Sequence, residues 1–327
     1  MAKLIYNITM LHYDMSEWLN SLRGIVASNL RRSRMPFPFD ASICYKWREG
    51  LYFERSKERI LYTSCMYQMA HVIGAAAAKL EKFSVADGGM RARLAALGAK
   101  AAGGLLLRPD PREVERAGGI LRNIYAMLKG SGVTLGVLES EPYSGALLYE
   151  LGFVDDFAAY ARRVYESLKS NGVREVVTTD PHTQYILEKI YPRYVERFDL
   201  KVTSYLNLID RSRVRARPGK FVVHDSCYYS RYLDMRGAIR GLLRGARLIE
   251  HPTITGKDAS QCCGGPVEST YPGLARAVAA SRLADLSKLS RDIVVECPIC
   301  YANLQRANED AGNPARLYDL AEVLGGG

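Results

Sequence analysis

"IVVECPICYANL", Ile293 to Leu304, reads as an apolar strand running into a turn at Pro298. It opens on three consecutive β-branched residues, Ile293 to Val295, the pattern of a strand covered on both faces. Laid over it without a gap, "VVTTDPHTQYIL", Val176 to Leu187, repeats the apolar run and sets Pro181 on Pro298. The same register sets Asp180 on Cys297 and Thr183 on Cys300. Upstream, Tyr143-Ser144-Gly145 falls over Cys262-Cys263-Gly264, with 35 residues between Ser144 and Asp180 and 33 between Cys263 and Cys297. Agreement at both ends marks a divergent internal repeat.

Strand and helix patterns alternate outward from this pair. In the second half "KFVVHDSC" reads as a strand, "RGAIRGLLRG" as a helix, "ARLIEHP" as a strand and "PGLARAVAASRLADLSKL" as a helix. In the first half "ERILYTSC", "GVTLGVLES" and "REVVTTDPHT" read as strands and "DDFAAYARRVYESLKS" as a helix. The fold class expected is α/β, in two pseudo-symmetric repeats, each a small, mostly parallel sheet flanked by helices. The division expected is an N-terminal extension over 1–56, a first, degenerate repeat over 57–212 and a second repeat over 213–327. "RSRVRARPGK", Arg211 to Lys220, reads as the linker, and Ala76 to Pro109 as an Ala- and Gly-rich insertion in the first copy.

The 327 residues are ample for a buried core, and 45 basic against 35 acidic residues leave a charge of +10. Basic clusters at Arg31 to Arg34, Arg211 to Lys220 and Arg236 to Arg247 lack interleaved stacking aromatics, so they read as solvated surface or a docking patch for an acidic partner, and no nucleic acid is expected. No run approaches the roughly 18 apolar residues that span a bilayer, and the first twenty residues do not resemble a signal peptide. A cytoplasmic location is expected, peripheral to the membrane only through a partner. There thiols stay reduced, so outside a hyperthermophile the seven cysteines read as ligands or catalytic thiols rather than disulfides.

Five of them fall in the second repeat: Cys227, Cys262, Cys263, Cys297 and Cys300. At strand ends of one small α/β unit they would converge on the carboxyl edge of its sheet. Adjacent cysteines in an extended strand point to opposite faces, so Cys262 and Cys263 need a turn, which Gly264 and Gly265 permit. Five thiolates exceed the four that zinc or an ordinary cubane cluster takes. Either one is spare, or the centre has a shape that needs all five. A structural zinc site usually shows two paired knuckles, and here there is one CxxC, so iron-sulfur is preferred and zinc is the alternative.

On "HDSCYYSRY", "CCGGP" and "ECPICYANL", the chain resembles the CCG, or cysteine-rich, domain of the heterodisulfide reductases and related iron-sulfur oxidoreductases, including components associated with glycolate, lactate, glycerol-3-phosphate and succinate dehydrogenases. The resemblance covers roughly residues 57 to 327 and implies a 4Fe-4S centre, noncubane in the heterodisulfide reductase, with Cys227, Cys262, Cys263, Cys297 and Cys300 as its ligands. In the first copy only Cys65 keeps a family position; Tyr143, Ser144, Asp180 and Thr183 occupy the others. Oxygen groups do not replace thiolates at such a centre, so that site should hold no cluster. Cys65, Tyr143, Asp180 and His182 could form a vestigial pocket, or be remnants satisfied locally. Cys44 reads as a small buried residue.

The function expected is that of a redox subunit, passing electrons and able to reduce a thiol or disulfide. Its expected partners carry flavin or ferredoxin-type clusters, and a membrane-anchored partner fits the same picture. No GxGxxG, GxxxxGK[ST] or CxxCxxC segment occurs, so the electrons must come from elsewhere. A zinc-stabilised scaffold or assembly component and a cysteine redox sensor are the other readings.

Overall fold

Parallel strands need crossovers and cover on both faces, and the sequence supplies both. The structure, a computed structural model, describes residues 19–73, 109–255 and 260–326 except Ser21. In the first half β1 (Arg59–Tyr62) is followed by the long helix α1 (Pro111–Gly130), the short α2 (Ala146–Glu150) and α3 (Val154–Ser170), then by β2 (Glu175–Thr178), α4 (Pro181–Tyr185) and β3 (Lys201–Ser204). The three strands form one parallel sheet in sequence order, with Ile60 level with Val176 and Val176 with Val202. In α3 the buried Phe157, Tyr160, Ala161, Val164 and Leu168 recur at three- and four-residue spacing, giving one apolar face to the sheet.

The second half repeats the plan. After β4 (Val214–Ala216) come β5 (Lys220–His224), α5 (Arg236–Leu242), β6 (Arg247–Leu248), α6 (Pro272–Ser287), β7 (Asp292–Val295), α7 (Pro298–Asp310), β8 (Arg316–Asp319), α8 (Leu320–Val323) and β9 (Leu324–Gly326). Strands β6, β5, β7 and β8 make a parallel sheet in that order. Leu61 and Val177 of the first sheet share a buried cluster with Val223 and Val294 of the second, so the halves have a common core. The α/β class, with parallel sheets flanked by helices, is as expected.

Three local expectations are corrected. "GVTLGVLES" forms no strand of its own; it meets β1 through a single bridge, Ile60 to Gly136, where a side chain at Gly136 would collide with the Ser56 carbonyl. The expected linker contains β4, which pairs antiparallel with β9, because Val214 and Ala216 alternate with Arg215 and bury one side. The edge strands β3 and β8 went unread, being short and mixed in polarity. The insertion expected over Ala76 to Pro109 lies, except for Pro109, outside the described residues.

The N-terminal segment packs Leu22, Val26, Leu30 and Phe37 into the first half's core. A 3-10 turn, Ala41–Cys44, capped by the Asp40 carboxylate on the Ser42 amide, then delivers Cys44 to Cys65. These two are joined in a disulfide, with Cα atoms 5.1 Å apart. That overturns the expectation of seven reduced thiols and removes Cys65 as a free thiol from any vestigial pocket. No helix among the described residues is long and apolar enough to cross a membrane.

Candidate metal centre

Strands β2 and β7 each end where a turn hands the chain to a helix, and the repeat is visible atom by atom there. Asp180 caps α4 ahead of Pro181, and Cys297 caps α7 ahead of Pro298, both with extended backbone. Gly145 has φ 84 and ψ 5, and Gly264 has φ 86 and ψ −7, so the two tight turns share a left-handed glycine. At Gly264 a β-carbon would also lie 2.5 Å from the Ala275 carbonyl, and at Gly265 one would lie 2.5 Å from Ile299 and 3.5 Å from the Cys263 sulfur. Both glycines let the paired cysteines sit hard against α6 and α7.

That turn makes the two neighbours converge. Cys227 contacts Cys262, Cys262 contacts Cys263, Cys263 contacts Cys300, and Cys300 contacts Cys297, a continuous run of sulfurs. All five are unpaired in the structure; three are buried and Cys227 and Cys262 partly so. The Cys227 segment is tied to the paired-cysteine loop by Ser230, whose hydroxyl lies 2.7 Å from that of Ser260, and by Arg231 on the Ser260 carbonyl. The structure therefore brings all five sequence-predicted residues of the second repeat together.

Electrostatics explains why such a site wants a cation. Contacts from the Cys227 and Cys263 thiols and the Gly264 amide, 3.3 Å from its sulfur, hold Cys262 down to about 2. Against burial, Cys300 and His182 hold Cys297 down to about 5. The other three thiols are pushed up, Cys227 and Cys263 chiefly by Cys262, and Cys300 by Cys263 and Cys297. Two negative sulfurs already exhaust what the bare protein tolerates, and ionising the rest needs positive charge among them. Soft, clustered donors with room for deprotonation only beside a cation fit a thiolate-ligated metal centre.

Two histidines border the sulfurs. His182 contacts Cys297, while its Nδ1 lies 2.6 Å from Glu150 Oε1, which also accepts from the Tyr228 hydroxyl at 2.9 Å. Although burial opposes it, Glu150 and Cys297 hold His182 well above the ordinary histidine range. A ring nitrogen of His224 and the sulfurs of Cys263 and Cys300 all lie within 4.8 Å of one another. For His224, at the end of β5, and Glu150, at the end of α2, position was the only signal the sequence held.

The degenerate copy is filled differently. Tyr143 and the Cys44-Cys65 pair lie in a packed cluster with Phe157, Tyr160 and Tyr191. Tyr160 donates to the Tyr143 carbonyl at 2.9 Å and Tyr191 to the Ser144 carbonyl at 2.9 Å. Ser144 Oγ, Asp180 Oδ2 and Thr183 Oγ1, the oxygens standing where the second copy has sulfurs, are buried without a hydrogen-bond partner. Of the four residues expected in a vestigial pocket, Cys65 and Tyr143 are thus core, and His182 turns to the surviving centre; Asp180, raised to about 6 by burial, feels the Cys297 charge.

Residues 221–305 match the family model of the cysteine-rich domain, CCG. The second half carries a CCG cysteine-rich domain. The match spans all five clustered cysteines and His224. Over a longer stretch, the chain is 31% identical over 224 residues to a probable membrane-anchored ferredoxin of Chromohalobacter salexigens, covering 62% of this chain and 33% of that protein. It is 23% identical over 214 residues to a probable iron-sulfur-binding oxidoreductase of Bacillus subtilis, covering 61% and 30%. It is 26% identical over 216 residues to one component of the dihydromethanophenazine:CoB–CoM heterodisulfide reductase of Methanosarcina barkeri, covering 61% and 52%. The chain thus spans a third to a half of the length of these curated relatives, and the cysteine-rich domain is the part whose chemistry its own residues define.

Proposed function

We propose that Cys227, Cys262, Cys263, Cys297 and Cys300 hold one 4Fe-4S cluster and that the protein is the redox subunit of a larger dehydrogenase or heterodisulfide-reductase-like assembly. The observation that carries this is the unbroken run of five sulfurs from three separate turns, at the carboxyl edge of a parallel sheet. The names of the relatives, a ferredoxin, an iron-sulfur-binding oxidoreductase and a heterodisulfide reductase component, support the choice of iron and sulfide. Bound there, the cluster supplies one-electron transfer and an iron able to take a sulfur ligand. The chain's own residues hold the thiolates ionised: the Gly264 amide on Cys262, and on Cys297 the first turn of α7 together with His182. Five thiolates favour the noncubane form, in which none is spare. The first repeat, with oxygens in place of thiolates, contributes no second centre, so a reaction that divides a disulfide between two centres is closed to this chain. Electrons come from a partner's flavin or ferredoxin-type clusters, and a membrane-anchored partner would account for peripheral attachment.

Zinc is the second reading, since His224, Cys263 and Cys300 are a donor set that zinc also accepts. Anaerobic purification with iron, zinc and sulfide analysis separates them. About four iron per chain, with matching sulfide and an EPR signal in one oxidation state, is expected. About eight would overturn the single centre, and zinc without sulfide would overturn the redox role.

A further inference from the structure

His224 ends β5 completely buried, and its two ring nitrogens have unequal surroundings. Arg282, itself 1% exposed on α6, donates its Nε–H to His224 Nδ1 at 3.1 Å and anchors its other end on the Ile254 carbonyl. An Nδ1 that accepts cannot carry the ring proton, so in the neutral ring the proton is on Nε2. His224 Nε2 has no hydrogen-bond partner in the protein, although it is wholly buried. A donor buried without a partner is destabilising, so one this deep calls for an acceptor. Beside the ring are the sulfurs of Cys263 and Cys300, both within 4.8 Å of one of its nitrogens, and Cys262, whose charge the ring feels. Arg282, held against Nδ1, is a buried cation whose charge interacts with Asp225 and Asp285 and, less strongly, with Cys300 and Cys263.

We propose that His224 is a positioning residue of the centre: its Nε2–H donates to a sulfur of the bound cluster, with Arg282 fixing the tautomer from behind. It is not a metal ligand, because Nδ1 is taken by Arg282 and Nε2 carries the ring proton. A hydrogen bond to a cluster sulfur, backed by a buried cation, stabilises the more negative reduced state and raises the reduction potential. Arg282 and His224 belong to α6 and β5, so the device is built into the second repeat's core rather than added by a loop.

This inference rests on the cluster reading, and iron and sulfide analysis of the full chain tests that reading before any potential is measured. If no cluster is present, both fall. With cluster present, potentiometric titration followed by EPR compares wild type with His224→Leu, His224→Gln and Arg282→Met. His224→Leu should lower the one-electron reduction constant about tenfold, or 59 mV. His224→Gln, which keeps an N–H at similar reach, should recover most of that, and Arg282→Met should shift in the same direction as His224→Leu. An unchanged potential in His224→Leu at full iron content, or equal shifts for Leu and Gln, overturns the proposal. Should the variants fail to fold, pulsed EPR of the wild type decides it. A weak nitrogen coupling from a hydrogen-bonded imidazole is expected; a strong coupling from an iron-bound nitrogen, or none, overturns it.

Discussion

His182 belongs to the repeat that has lost its thiols, yet its imidazole contacts the sulfur of Cys297 in the repeat that has kept them. The degenerate copy has become one wall of the surviving site. Its Glu150 holds the far side of the ring at 2.6 Å and is itself held by Tyr228, so the wall is hydrogen-bonded back to the segment that carries Cys227.

A residue that orients a metal-binding thiolate from behind normally matters 10–100-fold in metal affinity. His182→Phe should weaken metal retention by about that factor, measured as the loss of bound metal to a competing chelator. Glu150→Gln should act in the same direction but less, since the ring keeps its place. Equal retention in wild type and His182→Phe would show that the contact carries no weight.

The two left-handed glycines make a matched pair. In Gly145→Ala the nearest atoms met are ring carbons of Tyr160 and Phe157, at 3.0 Å and beyond, and the change should cost about 1–2 kcal/mol in denaturant unfolding while leaving the metal bound. Gly264→Ala drives a β-carbon into the Ala275 carbonyl and should cost about 3 kcal/mol or more and abolish metal binding.

The Cys44-Cys65 bond closes a loop of 21 residues in sequence separation. Its loss in Cys44→Ser should lower unfolding free energy by about 2–4 kcal/mol, with metal content unaltered, because the bond lies in a packed core that none of the five sulfurs joins. Thermal melts with and without a thiol reductant should reproduce the difference in the wild type.

Burial holds the Asp319 carboxyl up at about 7, against an ordinary 3.8. Between those values the unfolded chain has released a proton that the folded chain keeps, so this group's contribution to stability falls as pH rises through that window. Asn at this position still accepts the Ala321 amide that Asp319 Oδ1 now takes at 2.8 Å. Relative to wild type, Asp319→Asn should gain on the order of 1–3 kcal/mol between about pH 4 and pH 7, read from denaturant unfolding at each pH.

Much of the fold was legible because parallel strands are apolar throughout and the repeat was preserved in register: Pro181 and Pro298 start equivalent helices, and Gly145 and Gly264 make the same turn. The five cysteines were legible because thiols are rare and strand ends are where such folds collect side chains. The edge strands β3 and β8 were not, since both are four residues long and mix exposed polar with buried positions, leaving little apolar pattern to reveal them. Nor was the disulfide, because nothing in the spacing of Cys44 and Cys65 says that a 3-10 turn will bring their Cα atoms to 5.1 Å.

By itself, then, the sequence determined the repeated α/β plan and the set of thiols, both of which follow from local patterning along the chain. Only the tertiary structure decided the surroundings of those thiols: His182 against Cys297 from the other repeat, and His224 held from behind by Arg282. These pairings join residues far apart in the chain. They arise from the shared core that sets one sheet beside the other and packs α6 on β5, and no periodicity or spacing encodes them.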